Sequence, residues 1–181
     1  MEVITKTLKI EKIIKLALII IAGSILITIS AKVKIPFYPV PMTMQTFVIL
    51  LIGITLGFKM GLTIVTLYLL EGIFGLPVFA NSPEKGIGIA YFIGPTMGYL
   101  IGFLIAVYLA GSFKYDKGII NTFLKLIFSV SFIYILGLIW LGTLIGWDKP
   151  VFKFGAQPFL LAELFKILLL TILTSNLVKI K

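Results

Sequence analysis

The sequence has no cysteine, no histidine and no arginine among its 181 residues. Without cysteine the chain forms no disulfide, offers no thiolate to a metal and has no cysteine nucleophile. Without histidine it lacks the usual general base and the commonest metal ligand. Any catalysis would have to rest on carboxylates and lysines. We therefore expect no catalytic residues, no metal site and no bound cofactor.

Sequence motifs for nucleotide hydrolysis and for common hydrolases are also missing. The chain has no Gly-x-x-x-x-Gly-Lys-Ser/Thr loop and neither His-Glu-x-x-His nor Gly-x-Ser-x-Gly. The net charge of +9 comes from lysines that are spread over loops and ends. That spread does not form the single basic stripe of a nucleic-acid-binding protein, so we expect no nucleic-acid partner. Binding of a small molecule is the simplest remaining assignment.

Charged residues are scarce as well, at 13% of the chain, whereas 60% of the residues are hydrophobic. Soluble domains are about 45–50% apolar and about 25% charged. The composition therefore predicts an all-α integral membrane protein in a lipid bilayer, with residues 1–181 forming one membrane domain.

Six apolar segments follow one another along the chain, each compared with the roughly 20 residues that a spanning helix needs. We expect transmembrane helices at about 13–31, 44–57, 60–78, 95–112, 118–142 and 157–178. The second segment is short and contains Gly53 and Gly57. We expect a tight turn over residues 57–61 to connect it to the third.

The lysines indicate the orientation of these helices, because cytoplasmic loops carry an excess of them. Nine lysines fall on the side of the N-terminus, namely Lys6, Lys9, Lys12, Lys15, Lys59, Lys114, Lys117, Lys179 and Lys181. Five fall on the opposite side, namely Lys32, Lys34, Lys85, Lys149 and Lys153. This bias predicts cytoplasmic termini, and it places the long loops 32–44, 79–95 and 143–158 outside.

Glu163 and Lys166 are opposite charges one helical turn apart in the last apolar segment. A lone charge at mid-membrane costs at least about 2.5–3.5 kcal/mol. Residues three apart share a helix face, so these two can neutralise each other and face one common space. They could bind a polar ligand, or they could form a structural ion pair that holds helices together.

Two outer loops carry further polar candidates. In the first loop, prolines stop helix formation, and we expect Thr43 to cap the next helix, followed by the amide of Gln45. The loop 79–95 is unusually apolar, so it is either a lid over a site or a segment that lies in the lipid interface. Gly94, Pro95 and Thr96 are expected to open the fourth helix, with Pro95 in its first turn.

Other polar side chains have less specific interpretations. Glu71 could line the mouth of a polar cavity or lie at the membrane interface. Lys125 is expected to extend to the inner lipid headgroups. Tyr68, Tyr91 and Tyr99 could stack on a ligand or anchor the helices at the membrane surface.

Four segments in order resemble the BioY family, the biotin-binding S components of energy-coupling factor (ECF) transporters. They are Pro39-Val-Pro-Met-Thr-Met-Gln45, Tyr68-Leu-Leu-Glu-Gly-Ile-Phe-Gly-Leu-Pro-Val-Phe-Ala80, Gly94-Pro-Thr-Met-Gly-Tyr-Leu-Ile-Gly-Phe103 and Pro158-Phe with Glu163 and Lys166. The resemblance implies a six-helix S-component fold and biotin as the ligand. It also implies a prokaryotic cell-membrane location and partnership with a membrane T protein and two cytoplasmic ATPases.

The chain departs from the family pattern at the charged pair, because the family usually has aspartate where Glu163 stands. The extra methylene keeps the charge and shifts the carboxylate by about 1 Å. The resemblance also implies a surface for the T protein made of small residues on the first helix. The candidates there are Ala22, Gly23, Ser24 and Thr28.

The resemblance implies a pose for biotin. Glu163 would accept from a ureido N–H and Lys166 would donate to the ureido carbonyl, while Asn81, Thr43 and Gln45 satisfy the remaining polar groups. Tyr99 and the apolar faces would hold the sulfur ring, and the tail carboxylate would lie near the first turn of the fourth helix, at Gly94 and Thr96, or near Lys85. Tyr91 is a further candidate for contact with biotin. The reverse pose places Lys166 on the carboxylate instead.

Three other functions stay open at this point. The chain could be an S component for another small vitamin, or it could carry biotin alone at a low rate. It could also be a membrane enzyme that uses Glu163 as a base, although its sequence favours binding over catalysis.

Overall fold

The computed structural model describes residues 2–36 and 38–180, so Lys181, one of the lysines used for the orientation, lies outside it. The described part is helical apart from one hairpin of two-residue strands. The elements are α1 (Glu2–Lys32), β1 (Lys34–Ile35), β2 (Met42–Thr43), α2 (Gln45–Ile73), α3 (Gly88–Phe92), α4 (Met97–Ser112), α5 (Ile119–Ile145), α6 (Val151–Gly155) and α7 (Leu160–Ile180). This agrees with the predicted all-helical class.

Three stretches of helix in the described residues are long and apolar enough to cross a membrane. They are Ile10–Lys32, Gln45–Ile73 and Ile119–Ile145, and Met97–Ser112 is a shorter apolar helix. Many large apolar side chains on these helices are exposed to the surroundings, such as Ile21 on α1 and Ile139 on α5. Such faces suit contact with lipid, as expected of an integral membrane protein.

Helix α2 folds back on itself at Gly57, whose φ of 76° lies in the left-handed region that glycine favours. The side-chain nitrogen Nε2 of Gln45 donates to the hydroxyl of Tyr68 over 2.8 Å, and Tyr68 lies 23 residues further along the chain. A straight helix would separate these residues by about 35 Å. Residues 45–56 and 58–73 are therefore two antiparallel arms. The predicted turn over 57–61 is confined to Gly57.

The helix ends differ from the predicted ones for local reasons. The second arm of α2 ends at Ile73 and not at 78, because Gly75 has a φ of 101° and Pro77 disfavours helix before it. Helix α4 begins at Met97 after an N-cap at Thr96, so Pro95 precedes the helix and is not in its first turn. The first helix starts at Glu2, well before the predicted residue 13.

Glycines let α4 pack closely against both arms of α2 and against α5. A Cβ on Gly53 would lie 2.8 Å from the carbonyl oxygen of Val107, and one on Gly61 would lie 2.6 Å from the Val107 side chain. A Cβ on Gly98 would lie 2.2 Å from the carbonyl oxygen of Leu136. Backbones at such contacts have no room for a methyl group, as in other small-residue helix interfaces.

The long connections gather at one end of the helices. There α1 passes through the β1–β2 hairpin, paired at Lys34 with Thr43 and at Ile35 with Met42, into α2. The connection from α2 to α4, which contains α3, and the connection from α5 to α7, which contains α6, lie at the same end. We call this the loop end of the molecule, and it corresponds to the three loops predicted to share one face.

Candidate functional site

The charged pair of α7 lies inside the helix bundle close to the loop end. The ammonium nitrogen of Lys166 lies 2.9 Å from Oε2 of Glu163. Glu163 is 4% exposed and Lys166 is 8% exposed. The hydrogen bond of Glu163 N to Phe159 O places the carboxylate in the first turns of α7, where negative charge is favoured. The pair therefore faces the protein interior and not lipid.

Two hydroxyl groups complete the surroundings of this pair. Thr46, in the first turn of α2, donates to Glu163 Oε2 over 3.1 Å and accepts from Lys166 Nζ over 2.8 Å. Tyr134, on α5, donates to the same carboxylate oxygen over 3.1 Å. Lys166 also donates to the carbonyl oxygen of Thr43 over 2.9 Å. All three donors of the ammonium group are thus engaged.

The second oxygen of the carboxylate is different. Glu163 Oε1 is buried and has no hydrogen-bond partner among the described residues. A buried acceptor without a donor is costly, so native proteins rarely keep one unless another molecule satisfies it. The electrostatics of the site therefore favour a ligand that brings an N–H or O–H donor to this oxygen.

Glu163 and Lys166 line a cavity between the first turn of α2, the helices α4, α5 and α7, and the loop end. The cavity has about 60 Å³ of space for the centre of a water molecule. This is several times what one water needs, so a small organic ring fits there. Its lining is mostly apolar, with aromatic and aliphatic side chains that include Phe79, Tyr99, Leu100, Phe103, Ile133 and Phe159.

We call this cavity the main cavity. Three more residues predicted for the site line it, and hydrogen bonds to other groups of the protein fix the side chain of each. Gln45 donates to Tyr68 and accepts from the hydroxyl of Thr43 over 3.2 Å. The hydroxyl of Tyr99 donates to the carbonyl oxygen of Gly155 over 2.8 Å, so its ring forms a fixed wall. The N-cap of α2 is Met44 and not Thr43, although Thr43 Oγ1 accepts weakly from Gln45 N over 3.4 Å.

A second cavity lies next to the first, at the loop end. Its volume, taken in the same way as space for the centre of a water molecule, is about 290 Å³. Tyr91 and Thr96 line both cavities. The second cavity is also lined by Asn81, Lys85 and Gly94, together with Tyr38 and Pro39 of the first loop. The residues predicted to lie near a ligand tail are therefore brought together. Asn81, expected beside the ureido group, lies with them and not in the main cavity.

The hydrogen bonds of the second cavity fix its walls. The N–H of Asn81 donates to the hydroxyl of Tyr91 over 3.1 Å, and Trp140 Nε1 donates to the carbonyl oxygen of Gly94 over 2.8 Å. Burial raises the pKa of the Tyr91 phenol above its ordinary value. The phenol therefore remains protonated near neutral pH and keeps a proton to donate.

Other predicted residues lie away from both cavities. Gly23 and Ser24 of α1 are buried against α2, where a Cβ on Gly23 would lie 2.8 Å from Ile64 and the hydroxyl of Ser24 donates to Glu71. Ala22 is exposed and Thr28 is partly exposed. Glu71 therefore connects two helices and does not line the main cavity.

The extension of Lys125 to the inner lipid headgroups stays a prediction, and the structure shows the partners of its ammonium group within the protein. Its ammonium group donates to the carbonyl oxygen of Lys114 over 2.5 Å and lies 5.9 Å from the ring centres of Phe113 and Tyr115. The ammonium group of Lys125 is therefore bound by the connection between α4 and α5.

The family of the chain is shown by its sequence along nearly its whole length. The sequence model of the BioY family matches residues 4–181. The chain belongs to the BioY family. The resemblance noted from its motifs is thereby confirmed for nearly the whole chain.

Relatives and a solved structure agree with BioY membership. The probable biotin transporter BioY of Pyrococcus horikoshii is 35% identical over 78% of this chain and 82% of its own length. The biotin transporter BioY of Thermotoga maritima is 34% identical over 86% of this chain and 91% of its own length. These BioY proteins carry the names of transporters and not of enzymes.

The fold of this BioY chain is also that of a known S component. A crystal structure of the S-component for biotin from an ECF-type ABC transporter matches with a TM-score of 0.76 and 25% identity. The match covers 93% of each chain. The predicted S-component fold is therefore confirmed, while the number of membrane crossings and the side on which the termini lie stay predictions.

Two residues of the site were missing from the sequence prediction, namely Thr46 and Tyr134. Thr46 follows the predicted Gln45 directly, which was the only local signal, since the charged pair that it contacts lies 117 and 120 residues further along the chain. Tyr134 lies in the middle of an apolar segment, where a phenol needs a hydrogen-bond partner. That partner is Glu163, 29 residues away.

Proposed function

We propose that this chain is the substrate-binding membrane subunit of an ECF-type transporter and that it captures biotin from outside the cell. It delivers biotin inward together with a membrane T protein and two cytoplasmic ATPases, in the cell membrane of a prokaryote. Family membership and the match to a biotin S-component support the assignment. The six helical segments cross the membrane, both termini lie in the cytoplasm, and the loop end faces outward.

The unpaired Oε1 of Glu163 is the observation that carries the choice of ligand. The ureido ring of biotin offers two N–H donors, and one of them satisfies this buried acceptor. A ligand group without such a donor leaves the oxygen unpaired, which costs about 1–3 kcal/mol. The site therefore discriminates by hydrogen bonding more strongly than apolar fit alone allows.

Binding of biotin changes one hydrogen-bond acceptor of the Lys166 ammonium group. In the described structure its three donors reach Thr43 O, Thr46 Oγ1 and Glu163 Oε2. The ureido carbonyl replaces the Thr43 carbonyl as an acceptor, so the ammonium group remains fully paired. The exchange costs the ammonium group little, because one carbonyl is replaced by another, while the carbonyl of the partly buried Thr43 loses this donor.

The rest of the molecule fits the two cavities. The sulfur-containing ring contacts Tyr99 and the apolar side chains of the main cavity, and the tail passes between Tyr91 and Thr96 into the second cavity. Its carboxylate lies near Asn81 and Lys85 there. The reverse pose is disfavoured, because it brings the tail carboxylate next to the carboxylate of Glu163.

Identification of the bound molecule tests the ligand. The protein is purified in mild detergent, denatured, and the released small molecules are analysed by mass spectrometry. We expect intact biotin in the native protein and a clearly smaller amount in Glu163→Ala purified in the same way. A different vitamin, or a chemically altered biotin, would overturn the assignment. Uptake of labelled biotin into cells with and without the ATPases then separates an ECF subunit from a solitary carrier.

The pose has a separate test that uses biotin amide. In the proposed pose the loss of the tail charge and the change Lys166→Ala affect different contacts, so their effects on the binding free energy add. Isothermal titration of both ligands with both proteins measures this. Equal and non-additive losses would show that Lys166 binds the tail carboxylate.

A further inference from the structure

Two lysines at the loop end, Lys32 and Lys34, bind a segment that forms a wall of both cavities. Lys32 lies at the end of α1, and its ammonium group donates to the carbonyl oxygens of Phe79 over 2.7 Å and Ser82 over 2.6 Å. Lys34 lies in β1 and donates to the carbonyl oxygen of Ala80 over 2.6 Å. Lys34 also reaches Asn81 Oδ1 over 3.1 Å and Glu84 Oε2 over 3.2 Å. We call these contacts the lysine clamp.

The segment held by the clamp bears directly on the site. Phe79 and Ala80 line the main cavity, and Asn81 lines the second cavity. Phe79 also stacks on Tyr91 with ring centres 5.3 Å apart, so the wall continues into α3. Lys32 and Lys34 line neither of these two cavities, although Lys34 lines a third one beside Thr43 and Lys166. Their contacts with the walls of the main and second cavities are made through this segment.

The clamp also connects the two rims of the second cavity. One rim is Tyr38 and Pro39, which follow β1, and the other is Asn81 and Lys85, which follow α2. Tyr38 is among the most exposed residues of the described chain, and Lys85 lies 5.5 Å from the centre of its ring. A ligand that passed between these rims would enter the second cavity, which shares Tyr91 and Thr96 with the main cavity.

Charge-assisted hydrogen bonds to backbone carbonyls suit this role. They are stronger than neutral ones, and they hold the peptide backbone without depending on the side chains of the wall. The ion pair of Lys34 with Glu84 adds little, since it is largely exposed. The rims therefore separate only when the contacts to the carbonyls of Phe79, Ala80 and Ser82 break.

We propose that Lys32 and Lys34 are positioning residues that keep the mouth of the site closed, so that ligand enters and leaves when the clamp opens. The inference rests on the proposed function, since it takes biotin as the ligand. It assigns these two lysines to the kinetics of exchange, while Glu163 and Lys166 determine recognition.

A reversible cross-link tests the clamp, and the chain has no natural cysteine to interfere. Lys34→Cys and Glu84→Cys are combined, the protein is loaded with labelled biotin, and the two thiols are joined by a reducible bifunctional reagent. Excess unlabelled biotin then displaces the label. We expect the cross-linked protein to retain its label at least tenfold longer, and reduction to restore rapid exchange. Release at the uncross-linked rate would overturn the proposal.

A second measurement uses Lys32→Met and Lys34→Met without any cross-link. If the clamp limits exchange, the association and dissociation rate constants of biotin both rise about tenfold in the double variant, and Kd changes less than either rate. A purely structural role would raise the dissociation rate and lower the association rate, which would contradict the proposal. Lys149→Met is the matched control, since Lys149 pairs with Asp148 on another exposed loop.

The outcome is distinguishable from failure of the proposed function. If the unmodified protein does not bind labelled biotin at equilibrium, the ligand assignment is wrong. If it binds biotin but the cross-link and the methionine variants leave exchange unchanged, only the clamp is wrong.

Discussion

The molecule contains two Lys–Glu pairs of the same chemistry in opposite surroundings. In Lys166–Glu163 the two atoms are 2.9 Å apart and the side chains are 10% and 5% exposed. In Lys34–Glu84 they are 3.2 Å apart and the side chains are 22% and 69% exposed. Water screens the second pair and not the first. The buried pair therefore depends on every neighbour that satisfies it, whereas the outer glutamate is dispensable.

The comparison also separates the roles of the two lysines. Lys166 interacts with a carboxylate that keeps one oxygen for a ligand. Lys34 interacts mainly with a backbone carbonyl and with Asn81, and its carboxylate partner is peripheral. The same ammonium group thus serves recognition in one place and the position of a loop in the other.

The largest effect is expected for Glu163→Ala. The change removes the acceptor for the ligand and leaves Lys166 as an uncompensated buried charge. We expect biotin binding to weaken by about 2 kcal/mol or more, measured by isothermal titration of the protein in lipid nanodiscs. Thermal unfolding checks that the variant is folded. Normal affinity in this variant and in Lys166→Ala would show that the buried pair is only structural.

A smaller effect is expected when one hydroxyl of the buried cluster is removed. Tyr134→Phe deletes one hydrogen bond to Glu163 Oε2 while the charges remain. Thr46→Val deletes the bond to Glu163 Oε2 and also the acceptor of one Lys166 hydrogen bond. Hydrogen bonds to charged groups contribute about 1.5–3 kcal/mol, so we expect a loss of biotin affinity near the lower value. Tyr108→Phe is the matched control, because Tyr108 is exposed on α4. An unchanged affinity in both variants would mean that biotin binding by Glu163 and Lys166 does not depend on the hydroxyl groups of Tyr134 and Thr46.

A still smaller effect is expected for Glu163→Asp, which shortens the side chain by one methylene group. The charge is kept, but the carboxylate retreats by about 1 Å from Thr46 and Tyr134. We expect biotin affinity to fall by about 1 kcal/mol, measured by the same titration. Tighter binding would indicate that the cavity is shaped for the shorter side chain.

The smallest effect is expected for Glu84→Ala in the exposed pair. Such pairs contribute about 0.2–1 kcal/mol to stability, and this carboxylate does not touch either cavity wall. We expect the midpoint of thermal unfolding and biotin affinity to change little, and raised salt to reduce even that difference. A loss comparable to that of Glu163→Ala would remove the distinction between the pairs.

Much of this arrangement was predictable from the sequence. A charged pair one turn apart in an apolar helix predicted a common face, and the six apolar segments predicted the helices in their order. Helix ends were less predictable where glycine or proline disfavours the continuation of a helix, as at Gly75, Pro77 and Pro95. The orientation rests on lysine counts and the number of membrane crossings rests on the apolar segments, and both stay predictions.

The contacts between distant segments were not predictable in the same way. Periodicity shows which face of a helix is apolar, but it does not show which other helix that face meets. Tyr134 and Thr46 therefore looked like ordinary helical residues. Lys32 and Lys34 counted only as charges for the orientation, because nothing local to them indicates the carbonyls 46 to 50 residues away.

The fold-back of α2 has a mechanical consequence. A Cβ on Gly111 of α4 would lie 2.3 Å from the nitrogen of Phe58, directly after the bend, and Gly53 and Gly61 meet Val107 on either side of it. The two arms of α2 and helix α4 thus pack against one another without room for a methyl group, so we expect them to move as one rigid unit. Thr46 belongs to this unit and is hydrogen-bonded to both charges of α7, so a displacement of the unit relative to α7 would break the buried cluster.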